Sequence, residues 1–189
     1  KYFGFDSLRE SQVPIISSVM EGKDSLSILK TSGGKTLCYQ LPTLHRNGLS
    51  LVISPLISLM KDQVDALLRM GIQATYVNSS LPLEEVRDRY ARLGQGEYRF
   101  FYVAPERFQD NAFIDALCAA DLRMFAIDEA HCASQWGHNF RPHYARLGQS
   151  MNMVEREIGR EVQRVAFTAT ATARVQEDIV AILGLRNPD

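Results

Sequence analysis

Cysteine is scarce in this 189-residue sequence, and an excess of charge of either sign is missing. Its three cysteines, Cys38, Cys118 and Cys132, stand far apart, and 21 Lys+Arg face 22 Asp+Glu for a formal net charge of −1. An odd, scattered set of thiols supports neither a disulfide framework nor a Cys-x-x-Cys metal site, so they read as small core residues. Near-neutrality excludes a nucleic-acid binder that works by bulk positive charge; any such contact must come from a local patch. No apolar run approaches the ~18 residues of a membrane span, and no signal peptide opens the chain. An intracellular protein is therefore expected, with no membrane partner. No internal repeat, low-complexity tract or Pro/Gly/Ser linker divides the sequence. What is present is ordinary: 46% hydrophobic and 23% charged residues, enough to bury one core over 1–189. Lys1 in place of an initiator Met reads as an excised piece or a truncated start. Among the cations 16 are Arg and 5 are Lys, a bias toward the side chain suited to phosphate forks and ring stacking.

Short apolar runs predict strands at Ser25–Leu29, Ser50–Ser54, Gln73–Val77, Arg99–Val103, Met124–Ile127 and Arg164–Phe167. Between them, apolar residues recur at a period near 3.6. Leu56, Leu59, Met60, Val64, Leu67 and Leu68 form one stripe, Leu83, Val86, Tyr90 and Leu93 a second, and Val175, Ile179, Ile182 and Leu183 a third. Alternating strand and helix predicts an α/β fold: a three-layer parallel sheet with helices on both faces. Such sheets bind ligands at the carboxyl ends of their strands, so the loops there carry the functional candidates. His131–His143, polar, aromatic and interrupted by Gly137 and Pro142, fits no regular element.

Two of those loops carry chemistry. After Leu29 come Lys30, Thr31, Ser32, Gly33, Gly34, Lys35 and Thr36, then the helical Leu37–Gln40. Gly-Lys-Thr at a strand-to-helix junction is the tail of a phosphate loop: glycines let backbone N–H groups turn inward, and the helix N-terminus adds partial positive charge. Lys35 would reach the β/γ-phosphates and the Thr36 hydroxyl would hold Mg²⁺. Leu29 stands where the full motif has its first glycine, and a plain helix-capping turn with an exposed lysine is the competing reading. The strand ending at Ile127 runs into Asp128, Glu129, Ala130 and His131. Adjacent carboxylates at the end of a buried strand are costly unless something positive joins them. Mg²⁺–nucleotide is the natural partner, with Asp128 on the metal and Glu129 orienting the attacking water. The competing reading is a charged loop entering solvent.

Asp128–His131 followed by Cys132–Pro142 resembles the acidic box and aromatic-rich loop of RecQ-type DNA helicases. Other blocks are similar to the same family in the same order: Phe3-Gly4-Phe5 with Leu8, Arg9 and Gln12; Ser54–Val64, which holds Ser58 and Lys61; Tyr102–Arg107; and Thr168-Ala169-Thr170. The resemblance covers essentially the whole chain. It implies the first of two RecA-like lobes of a superfamily 2, ATP-dependent DNA helicase that couples hydrolysis to strand translocation and unwinding. ATP and Mg²⁺ would bind between the lobes, with Phe5 or Arg9 against adenine, Gln12 on its edge, and Thr31, Ser32, Gly33, Gly34, Lys35 and Thr36 around the phosphates. Single-stranded DNA and its junction with duplex are the implied partners, along with the second lobe of the same polypeptide. That lobe, with its arginine finger, and the family's zinc-binding and winged-helix domains are not in 1–189. A nucleoid-associated cytoplasmic location in a bacterium, or a nuclear one in a eukaryote, is implied too. This chain departs from the family's Pro-Thr-Gly-Gly-Gly-Lys-Ser in its phosphate loop, carries Phe5 for the usual tyrosine, and is unlike the family over Gln149–Gln163.

Trp136, His138, Phe140, Arg141 and Tyr144 lie within nine residues. Interleaved rings and a guanidinium suit stacking on unpaired bases, and the loop starts directly after Glu129, so movement could reach the carboxylate through His131. An aromatic minicore anchoring the loop is the alternative. Ser58, Lys61 and Arg107 are candidate strand contacts. Thr168 and Thr170 either relay between nucleotide and DNA or cap the following helix. Many of the remaining arginines are expected on helix faces, solvated. Three functions follow: a helicase motor lobe; a catalytically weak nucleic-acid or protein binding lobe with a degenerate phosphate loop; or a P-loop NTPase acting on something other than nucleic acid, which the Ser134–Arg141 block disfavours.

Overall fold

The structure is a computed structural model that describes residues 3–4, 7–30, 33–137 and 139–189. Of the expected site residues, Phe5, Thr31, Ser32 and His138 lie outside the described residues.

Six strands form one sheet: β1 (Ser25–Ile28), β2 (Leu49–Ile53), β3 (Ala74–Val77), β4 (Phe100–Val103), β5 (Leu122–Ile127) and β6 (Gln163–Thr168). Their order is β1-β6-β5-β2-β4-β3 and every pairing is parallel. The strands alternate across the sheet with period two, as the pleat requires. Phe100 and Tyr102 in β4, and Met124 and Ala126 in β5, enter one core; Phe101, Val103, Phe125 and Ile127 enter the other. Both faces are apolar, which parallel sheets need because helices cover each side.

The first core is closed by α1 (Val13–Met20), α2 (Lys35–His45) and α3 (Ile57–Arg69). The second is closed by α4 (Leu83–Gly94), α5 (Asn111–Ala119), α6 (Pro142–Ala145), α7 (Leu147–Ile158) and α8 (Ala173–Leu183). The three periodic stripes become α3, α4 and α8, burying Met60, Val64 and Leu67, then Val86, Tyr90 and Leu93, then Val175, Ile179 and Leu183. Cys38 and Cys132 are buried and Cys118 is half-buried, all free thiols. Burial pushes the first two up to about 11, which keeps them protonated at neutral pH.

His131–His143 resolves into a 3-10 turn, Ala130–Ala133, then turns and the start of α6. Gln149–Gln163, unlike the helicase pattern in sequence, is the body of α7 and the approach to β6. Among the described residues no helix is long and apolar enough to cross a membrane.

Candidate functional site

Parallel strands deliver the candidate loops to one edge. Gly33–Lys35 follow β1, Ser54–Lys61 follow β2, Ala104–Gln109 follow β4, Asp128–His131 follow β5 and Thr168–Thr172 follow β6.

Gly34 caps α2 in the left-handed conformation at φ 77°. A side chain is doubly disfavoured there, by that φ and because a Cβ would run into the Gln12 amide. Gln12 is buried; its Nε2 donates to the Gly33 and Gly34 carbonyls at 3.5 and 3.2 Å, and its Oε1 accepts from the Arg9 N–H at 2.9 Å. The residue expected on an adenine edge therefore also fixes the phosphate loop.

The competing picture of an exposed lysine fails. Lys35 is 9% exposed, and its Nζ lies 3.0 Å from Glu129 Oε1 and 3.4 Å from Asp128 Oδ1. One ammonium thus offsets two carboxylates that would be costly without it. Asp128 sits above the ordinary carboxylate range, chiefly through burial; the Lys35 charge opposes that rise and the Glu129 charge adds to it. The Asp128 carbonyl accepts from the fully buried Tyr144 hydroxyl at 2.8 Å. Glu129 is held at φ 48°, a left-handed conformation rare outside glycine, which is the kind of backbone strain found at functional turns.

His131 connects this pair to β6. Its Nδ1 lies 2.9 Å from Thr168 Oγ1 and 3.4 Å from Glu129 Oε2, and Thr168 Oγ1 donates to the Thr170 carbonyl at 3.2 Å. With that hydroxyl proton on Thr170 and the carboxylate able only to accept, the imidazole proton belongs on Nδ1. The helix cap proposed for Thr168 or Thr170 falls instead to Thr172, which accepts from the Val175 N–H.

Thr36 Oγ1 accepts from Gln63 Nε2 at 3.2 Å. Gln63 Oε1 in turn accepts from the Tyr39 and Tyr102 hydroxyls at 3.2 and 3.3 Å, and Gln40 Nε2 donates to Tyr102 at 3.1 Å. Burial pushes Tyr102 up to about 12 and Tyr39 well above its usual range, so both remain neutral donors. Gln63 belongs to the same α3 that exposes Ser58 and Lys61. Gln63 lies within Ser54–Val64, and nothing local in the sequence assigns it a role, because its partners lie on other elements.

The aromatic loop divides. Tyr144 is buried and structural, as the minicore reading holds, whereas Trp136 and Phe140 are 61% and 38% exposed and Arg141 is exposed. Gly137 folds back so closely on His131 that a Cβ would collide with the His131 carbonyl. Ser134 Oγ donates to Asp178 Oδ2 on α8 at 2.8 Å, and the Trp136 N–H donates to Ser134 Oγ at 3.1 Å. Arg107, in a 3-10 turn at Pro105–Gln109, is half-buried and lies against Tyr90. Among the expected residues, then, Lys35, Asp128, Glu129, His131 and Thr168 form one contact chain; Ser58, Lys61, Trp136, Phe140 and Arg141 lie exposed around it.

Hydroxyl and carboxylate oxygens such as those of Thr36 and Asp128 suit Mg²⁺. Among the described residues no three His, Cys, Asp or Glu gather as a metal cage. A cation there would take its other oxygens from phosphate and water.

Known proteins resemble this chain along nearly its whole length. The model of the DEAD/DEAH box helicase family matches residues 9–179. The chain is 44% identical over 185 residues to an ATP-dependent DNA helicase RecQ of Haemophilus influenzae, covering 98% of this chain and 29% of the relative. It is 46% identical over 179 residues to RecQ of Bacillus subtilis, covering 94% of this chain and 30% of that protein. Among solved structures, the DUF1998 helicase MrfA bound to DNA and AMPPNP superimposes with a TM-score of 0.78 at 20% identity, over 98% of this chain and 27% of that one. That likeness shows the fold, which is the RecA-like architecture expected. The chain spans less than a third of the length of these RecQ relatives.

Proposed function

Because the chain belongs to the DEAD/DEAH box helicase family, we propose that it is the first, nucleotide-binding motor lobe of a RecQ-like ATP-dependent DNA helicase. The observation that carries the reading is the contact chain Lys35–Glu129–His131–Thr168, which joins a phosphate loop to the turn that begins α8. A lobe that only bound nucleic acid would have no use for a buried lysine held against two carboxylates.

The Lys35 ammonium, released from Glu129 toward a phosphate oxygen, offsets charge on the transferred phosphoryl group. Freed of Lys35, Glu129 orients a water through its carboxylate and takes its proton at Oε1, while the imidazole of His131, Nδ1 3.4 Å from Oε2, borders the other oxygen. Thr36 and Asp128 would hold Mg²⁺, which when bound supplies further charge neutralisation on the phosphates. Trp136, Phe140 and Arg141 offer rings and a guanidinium to unpaired bases, and Ser58, Lys61 and Arg107 offer donors to phosphates. Arg9 and Gln12 border the nucleotide, and Thr168 with Thr170 couples it to the loop. A second RecA-like lobe of the same polypeptide completes the cleft, and the working compartment is that of the DNA.

The test is ATP hydrolysis by the full-length polypeptide with and without single-stranded DNA. Lys35→Ala should lower DNA-stimulated turnover by roughly 10²–10³-fold, the scale of losing one donor to a developing charge. Glu129→Gln should lower it by roughly 10²–10⁴-fold, the scale of losing a general base. Turnover that DNA leaves unchanged, or that survives both substitutions, overturns the reading in favour of a weak binding lobe.

A further inference from the structure

The loop that bears Trp136 is tied to α8 at two points one helical turn apart. Asp178 accepts from Ser134 at 2.8 Å. Four residues earlier, Arg174 lays its guanidinium over the indole, with Cζ 3.6 Å from the ring centroid of Trp136. Positions four apart share one face of a helix, so α8 presents both anchors to the same loop. Arg174 is exposed and among the described residues makes no ion pair. Its charge is thus uncompensated by a carboxylate, and stacking through the guanidinium plane leaves the N–H groups in that plane free to donate.

An indole has two faces. Arg174 covers one, and a ring still 61% exposed leaves the other open. A solvated arginine resting on a ring by chance would not need its helix to hold the same loop a second time, nor would it follow the Thr168–Thr170 turn that touches His131. We propose that Arg174 is a positioning residue for nucleic-acid binding: it fixes the attitude of Trp136 so that the open face receives one unpaired base, and offers its N–H edge to the neighbouring phosphate. This rests on the reading that the aromatic loop meets single-stranded DNA.

The chain has one tryptophan, so its emission reports on Trp136 alone. Without DNA, Arg174→Ala should raise acrylamide quenching of that emission by about twofold, since the ring loses its cover and its fixed orientation. On titration with oligo(dT), the same variant should bind about three- to fivefold more weakly, the effect of one exposed cation–π contact together with one phosphate contact. Arg174→Lys should recover the salt-dependent part of the affinity without restoring protection from acrylamide, because an ammonium keeps the charge but not the planar stack. In the full-length polypeptide, Arg174→Ala should raise the DNA concentration for half-maximal ATPase stimulation while leaving the maximal rate intact, a split that a general loss of structure would not give. If oligo(dT) changes the wild-type emission but wild type and Arg174→Ala bind and quench alike, the proposal fails and the DNA reading stands. If oligo(dT) leaves wild-type emission unchanged, the DNA reading of the loop fails, and the acrylamide experiment reports only on the stack.

Discussion

Asp128 sits in an environment that disfavours its own charge. Burial raises its proton affinity, Lys35 at 3.4 Å opposes that, and the neighbouring Glu129 reinforces it. A carboxyl whose folded-state pKa lies above its unfolded value favours folding fully at pH below the unfolded value, about 3.9, and loses that contribution as pH rises through the folded value. Ionised at neutral pH, Asp128 therefore destabilises the fold. Asp128→Asn keeps an oxygen to accept from the Glu129 N–H, a bond of 2.9 Å in the native protein, and removes the charge. The variant should melt at or above the wild-type temperature at pH 7, with the gap widening from pH ~4 upward and levelling once Asp128 is ionised. Magnesium-dependent turnover should be lost in the same variant. A melting temperature below wild type at pH 7 would contradict this account. The pair Asp128–Glu129 was legible in sequence because adjacent carboxylates after an apolar run are locally anomalous. Gln63 and Arg174 were not, since one lies 27 residues from Thr36 and the other is an exposed helical arginine, a common residue whose stack on Trp136 depends on tertiary placement.

At the level of elements, the strands were legible because each is a short apolar run between turns, and all six form within a residue or two of the expected limits. Helices α1 and α5 carried weaker signals: α1 has Pro14 in its first turn and no side-chain cap, and α5 is only nine residues long. The least legible feature is the role of Arg164. It stands in an expected strand yet is among the largest fully buried side chains. Its Nη2 donates to Asn152 and Glu155 of α7 at 2.6 Å, and its Nη1 donates to the Leu183 carbonyl at the end of α8 at 2.7 Å. Gly184 closes α8 in a left-handed turn where a Cβ would come 2.8 Å from that Nη1. One guanidinium thus joins β6, α7 and α8, and Arg186 bridges Asp24 and Glu155 beside it. Arg164→Ala should destabilise the fold by about 3–5 kcal/mol, because it leaves Glu155 short of a buried partner and uncaps α8. Urea denaturation measures it directly; a loss under about 1 kcal/mol would mean that the cluster behaves as an ordinary surface pair.

Across the whole molecule the arginines fall into two groups. Many are expected on helix faces, solvated, and Arg69, Arg87, Arg156 and Arg174 are exposed there, whereas others are drawn to the edge of the sheet opposite the candidate site. Arg46 donates to the Met20 carbonyl, Arg99 to those of Thr43 and Arg46, and Arg160 to that of Leu122. Arg164 and Arg186 join the acid cluster there, and Arg123 pairs with Asp121 at 2.7 Å. An arginine fork can satisfy several carbonyls at once, which explains the bias over lysine. These side chains are already engaged, and the cations assigned to the proposed strand are Lys61 on α3, Arg107 after β4, Arg141 before α6 and Arg174 on α8. With a net charge of −1 there is no general attraction to add to them. Each phosphate neutralised on a single strand contributes about −0.7 to the slope of log K against log salt, so these four contacts give a slope of about −3. Titrating oligo(dT) at several salt concentrations should give that shallow slope, and Arg174→Ala should reduce its magnitude by about 0.7. A slope near −6 would require about twice as many phosphate contacts as these four residues make and would overturn this assignment of the strand's path.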